Sequence, residues 1–175
     1  MEKNQFINRR REHRLPYFEK VIFTDGSKNL TAHAINFSSG GLFLTTLDAF
    51  PIDTGGMVAF MLSTHSRSLC IKARVAHVVY DRQRSEVECG MGLQFLEPTK
   101  EQLNLLNLQM LNDQRNYLEL KEILKEEKPD VLAVKELKGK LPGLEHYDLL
   151  GLRYRVSRIC TLFESPTVSN SSTAA

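Results

Sequence analysis

The residues best equipped for chemistry fall in two short stretches, Arg9-Arg10-Arg11-Glu12-His13-Arg14 and Asn36-Phe37-Ser38-Ser39-Gly40-Gly41. The first places four arginines within six positions, with Arg10 and Arg14 in an R-x-x-x-R spacing. A guanidinium is a planar fork of donors. It can hold two phosphate oxygens, or the O6 and N7 edge of guanine, in bidentate fashion. The same flat cation stacks on a purine face. Several such groups converging would suit a ligand that combines purines with phosphates. The second stretch reads N-x-S-x-x-G. Asn36 can offer a carbonyl acceptor to guanine N–H groups, and Ser38 can donate or accept. The glycine pair Gly40-Gly41 permits unusual dihedrals and close backbone approach. Each stretch also has a plain structural reading. An arginine-rich segment near a terminus is commonly solvated, and an N-x-S-x-x-G run is commonly just a turn.

Other chemistry-bearing residues form no constellation. Asp53-Thr54-Gly55 matches the aspartic protease triplet, but that chemistry needs two carboxylates sharing a proton. Lying between Pro51 and Gly56, it reads as a turn between strands. Ser38 lacks the G-x-S-x-G frame of a nucleophile elbow. His33 and His77 lie on strand-like segments and His13 in the basic stretch, so they read as core, rim or ligand-adjacent side chains. His65 and Cys70 lack metal-ligand spacing. Cys70, Cys89 and Cys160 are odd in number and far apart, unlike a disulfide framework or zinc site. Glu126-Glu127-Lys128 reads as a solvated helix end. The expectation is that the chain is not an enzyme and holds no metal and no cofactor.

The elements that must position these residues follow from periodicity. From about Leu15 to Leu96 the chain reads as β. Val21-Ile22-Phe23 precedes the turn signal Asp25-Gly26-Ser27. Thr31 to Phe37 alternates, setting Ala32, Ala34 and Asn36 on one face and Thr31, His33, Ile35 and Phe37 on the other. Leu42-Phe43-Leu44 resumes after the glycine pair, and Met57 to Leu62 forms a further strand. The clearest alternation is Leu69, Ile71, Ala73, Val75, His77 and Val79, and Met91, Leu93 and Phe95 repeat it. Many short strands at regular spacing predict a closed barrel or sandwich. The period then changes. Thr99-Lys100-Glu101-Gln102 is a T-x-x-Q capping box. Leu103, Leu106, Met110, Tyr117, Leu120 and Leu124 recur at helical spacing, with a second row at Leu105, Leu108, Leu111 and Leu118. One long helix or two shorter ones are expected up to about Lys128, ended by Pro129. Apolar on two faces, this stretch needs two partners: the barrel, and then either the chain's own C-terminal region or another subunit. Val131 to Leu137 reads as a strand, Leu144 to Leu152 as a short helix, and Arg153 to Phe163 alternates loosely.

The 175 residues suffice for one domain with an extension. The divisions expected are a flexible basic segment over 1–14, a barrel over 15–98, a helical segment over 99–128, an α/β or irregular extension over 129–164, and a disordered tail over 165–175. A net charge of +2 is too small to argue for DNA or RNA binding. With no apolar run long enough to span a bilayer and no apolar signal core, a cytoplasmic location is expected.

Arg-Arg-x-x-x-Arg before the first strand, followed about two strands later by N-x-S-x-x-G, resembles the PilZ domain family. The similarity extends to Gly90-Met91-Gly92-Leu93-Gln94-Phe95, which looks like that family's closing strand, and to the following helix. It covers about residues 8 to 112. The resemblance implies a mostly β fold, a six-stranded antiparallel barrel followed by a helix, that binds cyclic di-GMP. Arg10 and Arg14 would grip guanine and phosphate, with Arg9 as the leading arginine of the pair. Asn36, Ser38 and Gly41, with Gly40 beside them, would read a guanine edge. Asn36 stands where aspartate is commoner in the family, and a neutral amide accepts less strongly than a carboxylate. Binding would reposition the arginine segment and signal to a protein partner in motility, exopolysaccharide, pilus or virulence control. A ligand-independent adaptor with the same barrel is the alternative, and the leucine stripe offers a seam for self-association.

Overall fold

The computed structural model describes residues 14–63, 68–80, 89–141 and 143–164. The predicted flexible segment before Arg14, the tail from 165, and Arg9, Arg10, His13 and His65 lie outside the described residues. Seven strands and three helices follow in order. They are β1 (Leu15–Pro16), β2 (Lys20–Thr24), β3 (Asn29–Ser38), β4 (Gly41–Thr45), β5 (Gly55–Met61), β6 (Ser68–Val79), β7 (Gly90–Phe95), α1 (Lys100–Lys125), α2 (Val131–Lys140) and α3 (Leu149–Glu164). Every strand pairing is antiparallel. The order β3-β2-β5-β6-β7-β4 closes on itself through β3–β4, so six strands make the expected barrel and β1 adds to β3.

Strand alternation builds the barrel core. Val21, Phe23, Val58, Leu42, Leu44 and Ile71 point inward and are buried. Tyr17 packs its ring on Phe37 and Phe60, and its hydroxyl donates to the Met61 carbonyl. Two strands depart from simple alternation. In β3 the register shifts between Ala34 and Asn36. Ala32 and Ala34 are inside before the shift, and Phe37 is inside after it. In β6 the register shifts between Val75 and His77. Continuous alternation wrongly groups Asn36 with Ala34 and His77 with Val75. An extra residue in a bulge reverses the phase of everything after it.

The barrel passes into α1 through the predicted cap. The Thr99 hydroxyl accepts from the Gln102 amide at 3.1 Å, and the Gln102 side chain accepts from the Thr99 amide at 2.9 Å. Gln102 also donates to the Cys70 carbonyl at 2.8 Å, and Gln109 donates to the Ser63 hydroxyl at 2.6 Å. These bonds and buried Leu106 tie the first half of α1 to the barrel.

The chain divides into two compact units, Met1–Met110 and Leu111–Ala175. The second has its own core, in which Tyr117, Leu120 and Leu124 of α1 meet Leu137, Leu152 and Val156. The C-terminal region is therefore one of the partners that α1 needs, while Leu108 and Leu111 stay exposed. The α/β or irregular extension predicted over 129–164 instead holds two helices, α2 and α3, and the short helix expected over Leu144 to Leu152 is realised only from Leu149 on, as the start of α3. Val131 to Leu137 is helix because Asp130 caps it, its carboxylate accepting from the amides of Leu132 at 2.8 Å and Ala133 at 3.2 Å. Residues 153–163 belong to α3, where Leu152, Val156, Ile159 and Cys160 recur on one buried stripe. Pro129 does not stop α1, which ends at Lys125.

Candidate ligand-binding site

Pairing of β1 with β3 sets Leu15 opposite Phe37 and Pro16 opposite Asn36. Leu15 and Phe37 point into the core. By alternation Arg14, Pro16 and Asn36 then belong to the outer face. There the Arg14 guanidinium donates to the Asn36 side-chain oxygen at 3.1 Å. The last arginine of the R-x-x-x-R spacing and the first residue of the N-x-S-x-x-G turn are thus in direct contact, although 22 positions apart. The β3 bulge makes this contact available, since it turns Asn36 away from the core face.

The rest of the turn is built by its own residues. Ser38 is buried. Its hydroxyl accepts from the Gly40 amide at 3.3 Å and lies 3.5 Å from the Gly41 carbonyl. Ser38 therefore shapes the turn with the group expected to meet a ligand. The Gly40 carbonyl accepts from the Phe95 amide at 2.9 Å, fastening the turn to β7. At Gly41 a Cβ would lie 2.0 Å from the Leu93 carbonyl oxygen, so only glycine allows β4 to pass β7 this closely. Arg14, Asn36, Ser38, Gly40 and Gly41 are thereby brought together, and Arg9 and Arg10 lie outside the described residues.

Two outer rows extend this corner, and both escaped sequence reasoning. Asn36 pairs with Phe43, Phe43 with Gly92, and Gly92 with His77. The His77 ring lies across Gly92, where a Cβ would come within 1.9 Å of it, and stacks on Phe43 at 5.8 Å and 29°. In the adjoining row Gly41 pairs with Gln94, and Arg74 donates to Gln94 at 2.9 Å. Arg74 also meets the Asp53 carboxylate at 3.2 Å. The available signal was Arg74 on the polar face of an otherwise alternating strand.

A family model of the PilZ domain matches residues 8–111. The chain belongs to the PilZ domain family. Its PilZ domain is similar in structure to the Bacillus subtilis inhibitor of motility MotI/DgrA, with 20% sequence identity and a TM-score of 0.54. That match covers 63% of this chain and 53% of MotI/DgrA, so only about half of the neighbour's length is represented. The PilZ domain of CeSA from a cellulose-synthesizing bacterium is also similar, at 17% identity and a TM-score of 0.42, covering 54% of this chain and 91% of that one. No curated protein matches the chain. Both stretches singled out above fall inside the PilZ match.

Elsewhere the described residues carry structural roles. Asp53 adopts a left-handed φ of 69°, and its amide donates to the Val75 carbonyl at 2.8 Å, as befits a turn. Cys70 is exposed while Cys89 and Cys160 are buried, and none of the three is in a disulfide. Among the described residues no group of three or more His, Cys, Asp or Glu could hold a metal ion, and no helix is long and apolar enough to cross a membrane. In the second unit a cavity of about 300 Å³ is lined by Lys121, Lys125 and Arg153 with Leu124, Val156 and Ser157. Arg153 donates to the Glu126 carbonyl at 2.6 Å and Lys125 pairs with Glu122 at 2.7 Å, so these cations complement the carbonyl end of α1.

Proposed function

We propose that this protein is a cyclic di-GMP receptor that acts without catalysis in the cytoplasm and signals to a protein partner. The observation that carries the reading is the 3.1 Å hydrogen bond from Arg14 to Asn36. A dianion with two purine bases needs cationic forks and base-edge groups within one ligand's reach, and that bond joins one of each. In this reading Arg10 and Arg14 close over phosphate and guanine, Arg9 contributes as the leading arginine of the pair, and the turn from Asn36 to Gly41 meets a base. Ordering of the arginine segment around the ligand alters the surface that a partner sees. Because MotI/DgrA is described as an inhibitor of motility, motility is the first output to test.

Calorimetric titration of the full chain with cyclic di-GMP tests the reading. Saturable binding at micromolar or tighter affinity is expected, lost in Arg10→Ala and in Arg14→Ala. Absence of heat and of saturation with the intact protein would overturn it. The competing reading, an adaptor independent of ligand, draws on exposed Leu108, Leu111 and Leu118 along α1. Partner capture unchanged after removal of both arginines would favour the adaptor.

A further inference from the structure

The large apolar side chains that the described strands leave exposed are Ile22, Met57 and Met61, at 44%, 36% and 44%. All three face outward from the wall made by β2, β5 and β6, which holds none of the residues proposed to meet cyclic di-GMP. Ile22 pairs with Ala59, and Ala59 with Cys70. Met57 and Met61 flank Ala59 along β5. The small Ala59 is thus the floor of a shallow groove. Ile22 and Met57 form one side of it, and Met61 and the exposed Cys70 form the other. Lys20 stands one same-face repeat before Ile22. Lys72, opposite Met57, stands one repeat after Cys70. The groove therefore crosses three strands diagonally, with an ammonium at each end. Among the described residues neither ammonium meets a carboxylate, and no outward side chain between them is acidic.

We propose that this groove docks an amphipathic helix of a protein partner, apolar along the middle of its contact and acidic at both ends. Neighbouring strands lie about 4.8 Å apart, and same-face residues about 6.8 Å apart along a strand. Two steps in each direction put Lys20 and Lys72 about 17 Å from one another. Carboxylates about eleven residues apart on a helix span about 16.5 Å and, after about three turns, return to the same face. Apolar residues about four and seven positions after the first carboxylate then face Ala59. An extended peptide covers that distance in about five residues, which turns its two carboxylates to opposite faces. Methionine side chains adapt to the ridges of such a helix. A second copy of the same wall would bring ammonium against ammonium. An anionic bilayer gains only about 1 kcal/mol from each cation, and two are too few to hold it. The inference applies equally to a receptor and to a ligand-independent adaptor, since no nucleotide enters it.

The test is an NMR titration of the full chain, carbon-13 labelled at its methionine methyls, without nucleotide. The probe is a synthetic peptide stapled into a helix on its far face. It carries two glutamates about eleven residues apart, with leucines about four and seven residues after the first. The Met57 and Met61 methyls are expected to shift saturably below about 1 mM peptide, while Met91, buried inside the barrel, stays in place and reports the fold. Lys20→Glu and Lys72→Glu each weaken binding about tenfold, as does replacing both glutamates of the peptide by lysine. Absence of any shift at Met57 and Met61 would overturn the proposal. Equal binding of the lysine peptide, or binding unchanged in both lysine variants, would overturn it too, because charge then plays no part. Phosphatidylglycerol vesicles that move the two methyls where the peptide does not would give the face to a membrane. Shifts that grow with protein concentration alone, and block the peptide, would give it to a second copy. Either result also overturns the proposal, and neither bears on cyclic di-GMP binding.

Discussion

Arg14 serves two purposes with one side chain: it holds Asn36 through one nitrogen and brings a full positive charge to the outer face of the barrel. A lysine would keep the charge but lose the fork. Arg14→Lys should therefore weaken cyclic di-GMP binding by about tenfold or more while leaving the unfolding temperature close to wild type, checked by calorimetry beside thermal denaturation. Asp25 shows how one carboxylate supports a turn. Amide donors from Lys28 and then Ser27, with the Ser27 hydroxyl, hold its pKa below the ordinary carboxylate range. A depressed folded-state pKa contributes stability above the unfolded value, and that contribution is lost as pH falls through the folded value. Asp25→Ala should melt below wild type at pH 7, and the two melting curves should converge as pH falls below the ordinary carboxylate range. A gap that stays constant across that range would assign the effect to something other than the ionised carboxylate.

Among the elements, α1 carries a buried polar atom that works against stability. The Tyr117 hydroxyl is buried and has no hydrogen-bond partner among the described residues. Burial, and then the Asp113 charge, push its pKa up, so the phenol stays neutral. The ring packs against Phe163 inside the second core. Removing an unsatisfied buried hydroxyl while keeping the ring should be favourable. Tyr117→Phe is expected to raise unfolding free energy by about 1 kcal/mol in urea denaturation, and a loss of that size would reveal a hydrogen bond made in solution. The β3 bulge is the other element on which function turns. A single residue between Ala34 and Asn36 reverses which side of the barrel wall Asn36 occupies.

At the scale of the whole molecule, a ligand that binds only the folded barrel must stabilise it by mass action. At a free concentration a hundred times its Kd, cyclic di-GMP should add about 2.7 kcal/mol to unfolding of the PilZ domain. Differential scanning calorimetry reads this as a rise in melting temperature that increases with ligand concentration and disappears in Arg14→Ala. Where the two units unfold as separate transitions, only the one belonging to the barrel is expected to move. Movement of the other transition alone would transfer the site to the helical unit.

Much of this was legible in the residues themselves. Inward alternation at Val21, Phe23, Leu42 and Leu44 is enough to call for strands, and Thr99 with Gln102 marks the start of α1 because a capping box is a local hydrogen-bond pattern. The two stretches around Arg14 and Asn36 were visible as separate sets of donors, acceptors and glycines. The helices α2 and α3 were only partly legible, because a run as short as Val131 to Leu137 suits either period until a cap such as Asp130 and a shared core decide between them.

What the sequence determined by itself was the inventory: which groups could bind phosphate and guanine, and which segments repeat with period two or 3.6. Tertiary structure alone decided that Arg14 meets Asn36, that the Asn36 oxygen is the atom engaged, and that His77 lies across Gly92. The physical reason is that bulges and barrel closure are properties of paired strands. A one-residue shift in register leaves almost no trace in a single strand's pattern, yet it chooses the face on which every later side chain stands.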